Sequence, residues 1–142
     1  IESLRPSALD NLGLVPAIEI LIRETHESLG VPIDADLMPV DASPEAALTI
    51  YRFIQEALTN VARHAQARHA RVALGVRDGQ IHVEVQDDGV GFDPASLDIG
   101  AHGLSGMRFR VEAEGGTIEL QSAPGQGACV QARLPQATDA DA

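Results

Sequence analysis

Two short runs of alternating apolar residues flank a two-residue punctuation, Asp78-Gly79. Val72, Leu74 and Val76 recur at every second position before it, and Ile81, Val83 and Val85 after it. A period of two places each set on one face of a strand. Asp-Gly supplies the left-handed backbone that a tight turn between twisted strands requires. The pattern predicts a hairpin with one apolar face, which other elements must cover. Its second strand runs straight into Asp87-Asp88-Gly89-Val90-Gly91, so carboxylates and glycines gather at one end of the hairpin.

The covering elements are legible as helices. Ile18, Leu21 and Ile22 recur at helical spacing in a segment from about Leu14 to Ser28 that Gly30 terminates. Ser43-Pro44-Glu45 combines an N-cap hydroxyl, a first-turn proline and an acidic residue near the positive dipole end, and so starts a second helix. That helix runs to about Ala65 with Ile50, Phe53, Ile54, Ala57 and Val61 as its buried stripe. Glu56, Asn60 and Arg63 fall together on one flank of the stripe, with Asn60 nearest the apolar border and predicted to be half buried. Leu104, Met107 and Val111 form the face of a third helix that stops at Gly115-Gly116.

Val31 to Leu37 alternates weakly and reads as a short strand. A second hairpin joins Ile118 and Leu120 to Val130, Ala132 and Leu134 through a turn at Pro124-Gly125-Gln126-Gly127. Residues 1–12 read as the tail of one element and a turn broken by Arg5-Pro6-Ser7, residues 92–102 as a mobile loop, and residues 136–142 as a disordered acidic tail. The expected fold is α/β (α+β), a two-layer sandwich in which about three helices cover one face of a mixed sheet.

At 142 residues with 44% hydrophobic but only 3% aromatic content, one domain with an aliphatic core is expected. A net charge of −11 argues against a general nucleic-acid partner. It also means that any phosphate site must be assembled locally from backbone amides, arginine and metal. All ten basic residues are arginine, which excludes a lysine-dependent P-loop and Schiff-base chemistry. The lone Cys129 excludes an internal disulfide, no cysteine and histidine cluster has zinc spacing, and a reducing, cytoplasmic setting follows. Alternation with Val130 puts Cys129 on the sheet face away from the core, and it is assigned no function. His26, His69 and His82 read as surface histidines. No apolar run is long enough to cross a bilayer. The chain starts at Ile1, which reads as a piece of something longer.

Three polar motifs carry chemistry. Glu56-x-x-x-Asn60-x-x-Arg63-His64 offers an amide oxygen for a hydrated magnesium ion, a carboxylate one turn earlier, and cations for phosphate oxygens. Asp87-x-Gly89-x-Gly91 offers an acceptor for an exocyclic amine and glycines that allow close backbone approach. Gly103-Leu104-Ser105-Gly106 opens a helix whose free amides suit phosphate. Alone, the first reads more readily as a solvated helix flank, and the second and third read equally as an Asx-type turn and a loop-to-helix junction. Together they describe a nucleotide site.

That joint order, with Gly125-x-Gly127 after it, resembles the ATP-binding domain of histidine kinases. It is most similar to the sensor kinases paired with LuxR/NarL-type response regulators. Residues 54–65 are similar to that subfamily's N box almost throughout, and the likeness extends over about residues 4–135. It implies the sandwich fold shared with gyrase, Hsp90 and MutL ATPases, with residues 1–13 as the end of a dimerisation helix and its linker and residues 14–135 as the catalytic domain.

The resemblance also implies ATP and Mg²⁺ as ligands. Asp87 would bond the adenine amine, Asn60 would hold the metal, and Glu56 would be the catalytic carboxylate. Gly89 and Gly91 would pass close to the base. Gly103, Leu104 and Gly106 would close around the phosphates, with Arg63 and His64 on the phosphate side and residues 92–102 as a short lid. The implied partners are the chain's own dimerisation and phosphoacceptor domain and a response regulator, in a homodimeric parent. There are two departures. Ala128 stands where the third glycine box usually continues into threonine, and none of the five histidines fits the phosphoacceptor motif. An anti-sigma-type serine kinase and a non-catalytic adenine-nucleotide sensor are the other readings of the same fold.

Overall fold

The hairpin around Asp78-Gly79 forms the centre of the molecule. In this computed structural model, which describes residues 6–62, 66–90, 104–122 and 125–137 (side chains of 104 and 105 excepted), β2 (Ala70–Arg77) pairs antiparallel with β3 (Gln80–Asp87). Asp78 and Gly79 both adopt positive φ, 55° and 78°, which gives the mirror-image turn that suits the right-handed twist of the strands. β1 (Ile33–Leu37) adds parallel to β2. On the other side β5 (Ala128–Pro135) pairs antiparallel with β3, and β4 (Thr117–Ser122) lies beyond it. The order β1-β2-β3-β5-β4 makes a mixed sheet.

The described helices are α1 (Ser7–Leu12), α2 (Leu14–Leu29), α3 (Pro44–Asn60) and α4 (Leu104–Ala113). Ser43 Oγ accepts the Ala46 N–H at 3.1 Å and caps α3. Gly30, left-handed, closes α2 by donating to His26 O. Ile18 and Ile22 of α2, the full stripe Ile50, Phe53, Ile54 and Ala57 with Val61, and Met107 and Val111 of α4 are buried in one cluster with Val72, Leu74, Ile81, Val83, Val85, Val130, Ala132 and Leu134. Each of the large aliphatic side chains stabilises the fold by roughly 1.5–3 kcal/mol through burial. The core is aliphatic, as the composition requires, and the sheet's other face carries the polar residues of the strands.

Three expectations need correction. Residues 7–12 form a helix rather than a turn, and Leu9 joins the core. Six residues are too few to show a helical period, so tertiary contact decides this segment. Gln136 and Ala137 are anchored, the first through its side chain to Gly79 O and the second through its N–H to Asp41 O at 2.8 Å. The rest of the acidic end, 138–142, lies outside the described residues.

His82 is buried rather than exposed, only 5% accessible, with Nε2 3.2 Å from Gln131 Oε1. It sits on the central strand opposite Gly75, which has no side chain. The Met38 sulfur reaches over that gap, 3.8 Å from where a Gly75 Cβ would stand. Alternation assigned the correct sheet face but says nothing about how far neighbouring side chains close over it. His69 and His26 are on the surface, the first paired with Asp34 at 2.8 Å and the second with Nδ1 against Val31 O at 2.7 Å. Cys129 lies half buried on the helix-free face, where Gln131 Nε2 contacts its sulfur and burial pushes its thiol up.

Candidate functional site

Strand β3 delivers Asp87 to the rim of the sheet. Asp87 is flanked by Ala70 of β2 and Ala128 of β5, and its Oδ1 accepts the Gly89 N–H at 2.8 Å. Burial raises its carboxyl above the ordinary aspartate value. The Gly89 N–H works against that rise, the neighbouring Asp88 charge adds to it, and the Ala128 N–H again opposes it. A carboxylate partly stripped of water and only partly compensated by amides gains from a further N–H donor. That is the property required to recognise an exocyclic amine.

The glycine after the second turn is fixed by this carboxylate's backbone. Gly127 has φ 73°, and a Cβ there would lie 2.2 Å from Asp87 O and 3.1 Å from the Asp88 Cα. No side chain fits. The same turn is tied down by Ser122 Oγ donating to Gly127 O at 2.7 Å and by Gly125 N–H donating to Val90 O. At position 128, where the resemblance expects a threonine hydroxyl, this chain offers Asp87 a backbone N–H. A cleft of about 370 Å³ runs past Asp87, Gly127, Ala128 and Ser122.

The described parts of α3 and α4 are oriented toward this end. α3 starts at the opposite end of the sheet: Asp41, two residues before its cap, accepts the Ala137 N–H, and Ala137 follows Pro135, which pairs with Gln80. The C-terminal turn of α3, with half-buried Glu56 and Asn60, therefore points to the Asp87 end of the sheet. α4 finishes beside Arg133, against whose carbonyl Gly116 packs, and Thr117 opposite Arg133 starts β4 at the far end of the sheet. The N-terminus of α4, with Leu104 and Gly106, hence points back toward Ser122 and Ala128. Gly106 is exposed, and a Cβ there would meet only the Arg110 guanidinium at 3.7 Å. Arg63, His64, Gly91, Gly103 and the loop 92–102 lie outside the described residues.

No group of three or more His, Cys, Asp or Glu side chains among the described residues could hold a metal ion. A single asparagine amide near a half-buried carboxylate fits a magnesium ion that arrives with phosphates and keeps its waters, which is how magnesium is ordinarily bound. Sequence reasoning left two residues out of the site: Gly127, marked by its Gly125-x-Gly127 spacing, and Asp88, which carried no signal beyond adjacency to Asp87. Asp88 Oδ1 accepts the N–H groups of Arg68 and His69, each at 2.9 Å.

Similarity to known proteins agrees with this architecture. Curated relatives include the sensor histidine kinase LiaS of Bacillus subtilis, 31% identical over 93% of this chain and 37% of LiaS. The signal transduction histidine-protein kinase/phosphatase DegS of Brevibacillus brevis is 31% identical over 98% of this chain and 36% of DegS. UhpB of Salmonella typhimurium, also a signal transduction histidine-protein kinase/phosphatase, is 37% identical over 94% of this chain and 27% of its own length. The chain thus spans about a third of these relatives. Among solved structures, the Erythrobacter litoralis EL346 blue-light activated histidine kinase superposes with a TM-score of 0.74 at 21% identity, over 88% of this chain and 42% of that one. The mycobacterial sensor histidine kinase MprB gives 0.67 at 18%, over 84% of this chain and 92% of that one. Both share the fold. The family described as histidine kinase-, DNA gyrase B-, and HSP90-like ATPase matches residues 45–138, from the first turn of α3 past the end of β5, and this chain belongs to it.

Proposed function

We propose that this chain binds ATP with magnesium and is the catalytic domain of a two-component sensor histidine kinase, supplying the γ-phosphate for a histidine on a dimerisation helix outside this sequence. The observation that carries the reading is the partly desolvated Asp87 carboxylate at the rim of the sheet, at the same end as the last turn of α3 and the first turn of α4. Asp87 accepts the adenine amine, and the Gly127 turn keeps the backbone beneath the base free of side chains. Asn60 holds the metal, which when bound neutralises charge on the phosphates. Glu56, one turn before Asn60, is placed to orient or accept a proton beside the transferred phosphoryl group.

Gly103, Leu104 and Gly106 at the start of α4 offer backbone N–H groups and the positive end of the helix dipole to the phosphates. Arg63 and His64 add positive charge on that side, and Gly89 and Gly91 border the base. Phosphoryl transfer of this kind rests on positioning and charge neutralisation, so the acceptor histidine must be presented from the upstream dimerisation segment of a homodimeric parent. The regulator served is of the LuxR/NarL type, and the domain works in the cytoplasm. No described helix is long and apolar enough to cross a membrane. LiaS, DegS and UhpB are each named as histidine kinases, which does not favour the anti-sigma or non-catalytic sensor readings.

Calorimetric titration with ATP, with and without magnesium, tests the assignment. Asp87→Asn replaces an acceptor oxygen by a donor facing another donor, and should weaken binding roughly ten- to hundredfold, the worth of a hydrogen bond to a charged group. Asn60→Ala should bind ATP without magnesium like the parent and lose the magnesium-dependent gain. Two variants indistinguishable from the parent would refute the site.

A further inference from the structure

We propose that Asp88 is a positioning residue for the nucleotide site: its carboxylate clamps the segment between α3 and β2 to the end of β3, fixing the separation between the helix end that carries Asn60 and the strand end that carries Asp87. This rests on the nucleotide-binding reading above.

The two adjacent aspartates behave differently. Asp87 accepts an N–H within its own turn, from Gly89. Asp88 instead reaches back about twenty residues, where one oxygen accepts the N–H groups of both Arg68 and His69 at 2.9 Å. Its own N–H donates to His69 O at 3.2 Å, so the clamp is reciprocal and extends the β2–β3 ladder by one step beyond the Ala70–Asp87 pair. The His69 imidazole continues the chain of contacts to Asp34 of β1 at 2.8 Å.

The clamped segment needs such an anchor. Residues 66–69 belong to no helix or strand, and Gln66 holds a φ of 50°, a conformation that persists only where the surroundings over-determine it. The two amides also hold the Asp88 carboxyl below its ordinary value, so at neutral pH the acceptor is fully formed. Without this carboxylate the segment keeps the bond from the Asp88 N–H to His69 O, the His69–Asp34 contact and the packing of Ala67, but loses the acceptor that holds the Arg68 and His69 amides. Asp87 would keep its own surroundings, while the distance from it to Asn60 would spread. The loss should therefore fall on ligands that span both arms, and not on those that use one.

The test compares adenosine, which reaches only the Asp87 arm, with ATP–magnesium, which spans both. Affinities are measured by calorimetry, and backbone amide exchange at Arg68 and His69 is followed in the ligand-free protein. Asp88→Ala should speed exchange at both amides, leave adenosine affinity within about twofold, and cut the advantage of ATP–magnesium over adenosine by about tenfold, the equivalent of one to two net hydrogen bonds. Asp88→Asn, whose amide oxygen still accepts both N–H groups, should restore most of that advantage.

An unchanged ratio in Asp88→Ala, an equal loss for both ligands, or an Asp88→Asn variant as defective as the alanine overturns the proposal. A parent chain that binds neither ligand overturns the nucleotide reading and this role with it, whereas normal parent binding with an unchanged ratio overturns this role alone. Should Asp88→Ala not fold, Asp88→Glu displaces the carboxylate by one methylene and carries the same expectation.

Discussion

Asp87, Asp88 and Gly127 occupy a few ångströms of backbone, and each is constrained by a different force. Gly127 is constrained by sterics: φ 73° and a carbonyl 2.2 Å from any Cβ leave room for hydrogen alone. Gly127→Ala should lose about 1–3 kcal/mol from the left-handed backbone and the clash. It should also lower ATP affinity, since relief of the clash displaces Asp87; thermal melting and calorimetry would read the two effects. Asp88 is constrained by hydrogen bonds that depress its carboxyl, the His69 N–H first and the Arg68 N–H next. A carboxylate lowered in the folded state stabilises the protein above its unfolded value of about 3.9 and loses that contribution as pH falls through the folded value. The melting-temperature gap between parent and Asp88→Ala should therefore be largest at neutral pH and narrow as pH drops below about 4. A gap that persists unchanged at pH 3 would contradict the amide contacts as its cause.

The elements divide their ends between stability and chemistry. α3 carries its N-cap at one end and Glu56 with Asn60 at the other, separated by a buried stripe from Ile50 to Ala57. Ser43→Ala removes the acceptor for the Ala46 N–H and should cost about 1 kcal/mol of stability. It should leave ATP affinity unchanged, because the cap lies at the opposite end of the helix from the site. Equal losses in stability and affinity would mean that α3 transmits strain along its length. The β2–β3 hairpin shows the same division. Asp78-Gly79 sets the register at the far end and so places Asp87 opposite Ala70, while the separate pairing of β3 with β5 places Ala128 on its other side.

As a whole, the chain covers about a third of the length of its curated relatives. On the proposed reading none of the five histidines in the sequence is the phosphoacceptor. Incubated alone with radiolabelled ATP and magnesium, the chain should form no acid-labile phosphohistidine. Adding the parent's dimerisation segment in trans should produce label on that segment, and Asn60→Ala should suppress it. Label appearing on this chain itself would contradict the proposed division of labour.

Local pattern determined most of the fold. A period of two placed β2, β3, β4 and β5, a period near 3.6 placed α2, α3 and α4, and turn chemistry placed the ends, because each of these is set by the backbone and its nearest neighbours. The same pattern put Asn60 at a half-buried border and Asp87 at a strand end. What it left undecided depends on residues far apart in sequence. Leu9 and α1, the cover over His82, the anchoring of Ala137 to Asp41, the Gly127–Asp87 approach and the Asp88 clamp all join segments whose meeting no periodicity encodes. Only packing decides which side chain closes a gap and which carboxylate finds an amide twenty residues away.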